Sequence, residues 1–77
     1  MTLKQLKKVL NPARIDVTIF NGSEVVDTIF LRFPEHGEEC EWNRYWKAMR
    51  TINNYGKCEV TTVDAYSDGT LIIFCDA

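Results

Sequence analysis

No stretch of the chain approaches the ~20 consecutive apolar residues that a membrane-crossing helix needs. Nor is there a surplus of one charge sign: nine Lys and Arg stand against eleven Asp and Glu, a net charge of -2. A nucleic-acid binder ordinarily carries a clear basic excess, so this balance argues against one. Histidine occurs once and cysteine three times, with no Cys-x-x-Cys. His36 and Cys40 are the only close pair of soft ligands, whereas structural zinc sites take theirs in close pairs from tight turns. No metal and no cofactor are therefore expected. Cys40, Cys58 and Cys75 are odd in number and widely spaced, which fits reduced thiols better than a disulfide framework.

A phosphate-cradling loop is missing too. Gly22, Gly37, Gly56 and Gly69 are isolated, and each has a turn or a helix cap to explain it. Nucleophilic chemistry finds no support: Cys40 is surrounded by Glu38, Glu39 and Glu41 rather than by the cationic partner that activates a thiolate. The carboxylates of residues 35–41 are paired, but acid–base work needs a concave, partly buried site, and a short acidic linker is a poor place for one. The expectation is a protein that is not an enzyme. Its opening, Met-Thr-Leu-Lys-Gln-Leu-Lys-Lys, is charged every few residues and does not read as a signal peptide, so a cytoplasmic location is expected.

What is present is a pattern of elements. Seventy-seven residues allow one domain, 1–77, which buries only about 60% of the surface of its unfolded chain. Thr2 with Gln5 forms a capping-box signature, followed by Leu3, Leu6, Val9 and Leu10 on one helical face. Asn11-Pro12 stops that helix. Arg14 to Phe20 alternates as a half-buried strand, Asn21-Gly22 signals a hairpin, and a second strand runs from about Val25 to Phe33. The acidic link 35–41 leads into a helix with Trp42, Tyr45, Trp46, Met49 and Ile52 on one side and Arg44, Lys47 and Arg50 on the other. Gly56 is placed to cap it. Cys58 to Tyr66 and Thr70 to Cys75 read as two strands around a Ser67-Asp68-Gly69 turn. The class is α+β, in the order α-β-β-α-β-β, with a four-stranded antiparallel sheet packed with two helices.

The second and last strands are apolar on both faces. Val25, Ile29, Leu31 and Phe33 share one parity, while Val26 and Phe30 take the other; Leu71, Ile73 and Cys75 oppose Ile72 and Phe74. A sheet with one wet face should alternate more cleanly. Two arrangements satisfy the pattern. Either each sheet face carries one helix, or both helices cover one face and leave Phe20, Val26 or Phe30, and Ile72 or Phe74 as an apolar patch for a partner or a second copy. Trp42 and Trp46 read as core, Tyr45 and Tyr55 as marginal residues suited to anchor a contact.

The opening Thr2-Leu3-Lys4-Gln5-Leu6-Lys7-Lys8-Val9-Leu10-Asn11-Pro12, with the strand and Asn-Gly turn after it, resembles short prophage and mobile-element proteins of Firmicutes. The closing Cys58-Glu59-Val60-Thr61-Thr62-Val63-Asp64-Ala65 and Asp68-Gly69-Thr70-Leu71-Ile72-Ile73 resembles their C-terminal hairpin. The segment from Phe33 to Tyr55 departs from them. The resemblance implies a phage setting, in which small proteins often inhibit host defence by occluding a nuclease complex, as anti-CRISPR proteins do. The expected function is thus non-enzymatic binding of a host protein. The expected contact residues are Glu35, Glu38, Glu39, Glu41, Tyr45, Phe20, Phe30 and Phe74. The alternative is a nucleic-acid accessory protein using Arg44, Lys47 and Arg50, whose few charges would give weak, salt-sensitive binding.

Overall fold

The computed structural model describes residues 1–10 and 13–77. The expected helix stop at Asn11-Pro12 lies outside the described residues. The order is α1 (Leu3–Val9), β1 (Arg14–Asn21), β2 (Glu24–Arg32), α2 (Glu39–Asn54), β3 (Glu59–Ala65) and β4 (Leu71–Asp76), all α+β as expected. The four strands form one sheet in the order β2-β1-β4-β3.

The sheet is mixed, not antiparallel throughout. β1 pairs antiparallel with β2, and β3 with β4, but β1 and β4 run parallel, with Ile15 opposite Leu71 and Ile19 opposite Cys75. The reason lies in which strand of the second hairpin sits inside. β3, placed beside β1, would have kept every pair antiparallel. Yet β3 carries Glu59, Thr61, Thr62 and Asp64 and is exposed along most of its length, which suits an edge. β4 (Leu-Ile-Ile-Phe-Cys-Asp) is apolar on both faces and takes the interior place.

Tight turns join the hairpins. Asn21 pairs with Glu24, and Gly22 has φ +63° while no non-glycine residue described has positive φ. That is the pattern of a two-residue turn with glycine first, rather than one with Asn21 in the left-handed region. Each hairpin carries a bulge: Val26 is the extra residue on β2 and Thr61 on β3.

Both helices pack on the same side of the sheet. Leu3 and Leu6 of α1 and Ala48 and Ile52 of α2 form one buried cluster with Ile15, Val17, Ile19, Ile29, Leu31, Ile73 and Cys75, all of one strand parity. Thr2 caps α1 as the sequence indicates: the Gln5 amide donates to Thr2 Oγ1 at 3.3 Å, and the Thr2 amide donates to Gln5 Oε1 at 2.9 Å. Two further amides at the start of α1, orphaned by helix geometry, donate to the carbonyls of Cys58 and Gly56, each at 2.9 Å. Gly56 is buried there for closeness, not for positive φ: a Cβ would lie 3.2 Å from the Asn53 carbonyl oxygen and 3.3 Å from Lys4 Cβ. Val9, expected on the buried face, is 73% exposed: Leu3, Leu6 and Leu10 make the contact with the core, and Val9 lies at the margin of their helical face.

Candidate functional site

With both helices on one side, the opposite sheet face has no cover among the described residues. Strand register builds it row by row. Phe30, Asp16, Ile72 and Asp64 cross the sheet in one row; Thr28, Thr18, Phe74 and Thr62 form the next; Val25, Phe20, Asp76 and Glu59 form the third. Phe20 and Phe74, on the two central strands, meet edge to face at 5.4 Å, and both are half-buried. Phe30, at the β2 edge, is 61% exposed, and Val25 is 59% exposed. Of the two arrangements compatible with the sequence, the structure adopts the one that leaves these side chains uncovered. The face is not purely apolar: aspartates and threonines alternate with the rings.

One charged pair is fixed on this face. Arg32 donates to the carbonyls of Leu31 at 2.9 Å and Ile15 at 3.3 Å, lies 2.7 Å from the Asp16 carboxylate and sits 5.8 Å from the Phe30 ring centre. Four interactions thus hold one guanidinium in place. Arg14 reaches only the exposed Asp68 carboxylate, at 3.9 Å.

A half-open cleft of about 560 Å³ lies where β2 ends, β1 begins and the first turns of α2 pass. Arg14, Arg32 and Arg44 border it together with the rings of Phe30, Phe33 and Tyr45. Beside it four aromatic side chains form a continuous cluster. Phe33 meets Trp42 at 5.4 Å and Tyr45 at 5.6 Å, and Trp46 meets Tyr45 at 5.1 Å and stacks on Trp42 at 6.1 Å. The tryptophans are not core, contrary to expectation. Trp46 is 55% exposed and Trp42 half-buried, while Tyr45, Met49 and Tyr55 pack against the core. The helix is oriented so that Ala48 and Ile52 are its buried residues, which turns Trp46 outward.

The acidic segment divides in two. Glu41 turns inward as a brace: its carboxylate accepts from the backbone amides of Glu35 and Glu38, each at 3.2 Å. Partial desolvation pushes the Glu41 carboxyl up, but those amides, with His36, outweigh it and hold it below the ordinary range. Glu35, Glu38 and Glu39 remain exposed. So do Arg44, Lys47 and Arg50, and Arg44 alone of these borders the cleft. Sequence reasoning did not join Arg14 and Arg32 to Arg44; they come from three elements, and only the fold assembles them.

The cysteines lie apart in role. All three are free; Cys40 is exposed, Cys58 half-buried and Cys75 fully buried. Desolvation, then Cys58 and Asp76 nearby, push the Cys75 thiol up to about 11, as expected of an inert core thiol. Among the described residues, no group of three His, Cys, Asp or Glu side chains is placed to hold a metal ion. No described helix is long and apolar enough to cross a membrane. Comparison with protein-family models, with curated proteins and with solved structures found no match.

Proposed function

We propose that the chain is a non-enzymatic binding domain that engages a protein through the helix-free face of its sheet. One observation carries this: α1 and α2 both cover the same side, so Phe20, Phe30, Phe74, Ile72 and Val25 lie on a face that no described helix covers, where the outward positions of a sheet are ordinarily polar. Uncovered rings amid polar side chains are the composition of a contact surface rather than of a core. Phe30 is the natural anchor, large, exposed and steadied on one side by the fixed Arg32 guanidinium. The exposed carboxylates of Glu35, Glu38 and Glu39 lie beyond the end of β2 and favour a basic partner. The resemblance of the two ends of the chain to prophage proteins is the reason for proposing a host protein as that partner, with a defence nuclease complex as the candidate occluded in an anti-CRISPR-like manner.

The test is a pull-down from host lysate with the wild-type chain and with the Phe30→Glu and Val25→Glu variants, joined to a phage-plating assay with and without the host's defence systems. A partner retained by the wild type and lost by both folded variants supports the reading. No retained partner and no change in plating overturns it. Light scattering on the same samples identifies self-association: a wild-type dimer that Phe30→Glu converts to a monomer would assign the face to a second copy.

A second reading rests on Arg44, Lys47 and Arg50, all exposed along α2 beside the aromatic cluster. It describes nucleic-acid contact by a basic strip with stacking rings. It requires a mobility shift at low salt that fades steeply as salt rises.

A further inference from the structure

The cleft at the end of β2 joins Phe30 and Arg32 of the open face to Arg14, Arg44 and two further rings. We propose that it binds a phosphorylated heteroaromatic ligand of mononucleotide size. Its volume, about 560 Å³, lies within the range of small-molecule sites, roughly 300–1,000 Å³. Its rim supplies the two kinds of group that such a ligand requires. Phe30, Phe33 and Tyr45 offer ring surfaces from two elements and the loop between them, and Arg14, Arg32 and Arg44 offer guanidinium groups from three elements. Arginine is suited to this pairing, since its planar fork matches phosphate oxygens and stacks on aromatic faces.

The three arginines are not equivalent. Arg32 is held by two backbone carbonyls and neutralised by Asp16 at 2.7 Å, so it is a rigid wall and adds little free charge. Arg14 has only a long contact, 3.9 Å, to Asp68, and both side chains are about half exposed. Such a pair contributes little and is readily exchanged for a better acceptor. Arg44 is exposed and takes part in no ion pair among the described residues. Arg14 and Arg44 are therefore the groups available to a phosphate, one from β1 and one from α2. Two carboxylates border it as well. Glu41 is occupied by the amides of Glu35 and Glu38, whereas Glu35 is exposed at the rim and opposes an anion. That opposition gives the proposal a signature of sign: neutralising Glu35 strengthens binding, while neutralising Arg14 or Arg44 weakens it.

The test is calorimetric titration of the intact chain with AMP, GMP, CMP and UMP, with the parent nucleosides and inorganic phosphate as separate arms, and with amide NMR shifts to locate the contact. The expected result is saturable binding of at least one nucleotide, with shifts centred on Arg14, Phe30 and Arg44. Arg14→Gln and Arg44→Gln each lower the affinity about tenfold, Glu35→Gln raises it, and nucleoside or phosphate alone binds at least about tenfold more weakly. Absence of saturable binding in the millimolar range overturns the proposal. So does an affinity indifferent to both arginine variants, or a nucleoside that binds as well as its nucleotide. These arginines are surface residues, and if either variant fails to fold the other decides. Phe30 and Arg32 belong to both the cleft and the open sheet face, but Arg44 is carried by α2, so loss of nucleotide binding in Arg44→Gln with partner capture intact separates this site from the protein-binding reading.

Discussion

Tyr55 closes α2 and reaches back across the sheet. Its hydroxyl donates to Asp27 Oδ2 at 3.1 Å, tying the end of the helix to the middle of β2. That hydrogen bond to the carboxylate, followed by partial desolvation and the negative charge of Asp27, raises the phenol above its ordinary value. A phenol whose pKa is raised by folding contributes stability that is complete below its unfolded pKa, about 10, and is lost as pH rises through the folded value. The wild type should therefore be more stable than Tyr55→Phe at neutral pH, with the gap closing in strongly alkaline solution. Urea midpoints of the two proteins across that range measure it, and a gap that widens with pH would contradict it. In the sequence Tyr55 looked like a marginal anchor for a partner. Its hydroxyl is instead used inside the molecule, since Asp27 sits on the helix-covered side of a strand whose alternation is broken by the Val26 bulge.

At the scale of elements, the contact between α1 and the segment after α2 depends on a missing side chain. Gly56→Ala would place a methyl group against the Asn53 carbonyl oxygen and Lys4 Cβ, both too close to a backbone to swing aside. The expected cost is about 1–3 kcal/mol from overpacking, partly offset by the lower entropy of the unfolded chain. Chemical denaturation checks it, and an unchanged midpoint would mean that α1 shifts without loss. Much at this scale was legible from residue order alone. The capping box at Thr2, the turn at Gly22, the alternation of β1 and the six elements follow from local rules that tertiary contacts did not override. What was not legible depended on assembly. The parallel pairing of β1 with β4 is a choice between two strands of one hairpin, and the outward place of Trp46 goes with a helix orientation that buries Ala48 and Ile52. The cleft had no local signature, because Arg14, Arg32 and Arg44 are far apart in the chain.

For the molecule as a whole, a thin core leaves little reserve. One layer of apolar side chains, between one sheet face and two helices, supplies most of the burial. Domains of this size are stable by only a few kcal/mol, and removing a buried branched side chain costs about 2–5 kcal/mol. Ile73, 2% exposed on an interior strand, is such a residue. Ile73→Ala should leave a substantial unfolded population at ambient temperature, visible as peaks of an unfolded species in NMR spectra; a fully folded variant would show that the open face contributes more stability than its exposure suggests.

The interior place of β4 also bears on how the molecule is made. Both neighbours of this strand, β1 and β3, are synthesised before it, and β1 precedes it by most of the chain. While the nascent polypeptide emerges, the β1–β2 hairpin can close, but the flank of β1 that β4 will occupy stays unpaired until residues 71–76 arrive. Pairing at such sequence separation is slow compared with hairpin or helix formation. A growing chain therefore presents an unpaired strand edge on β1 until β4 emerges to seal it.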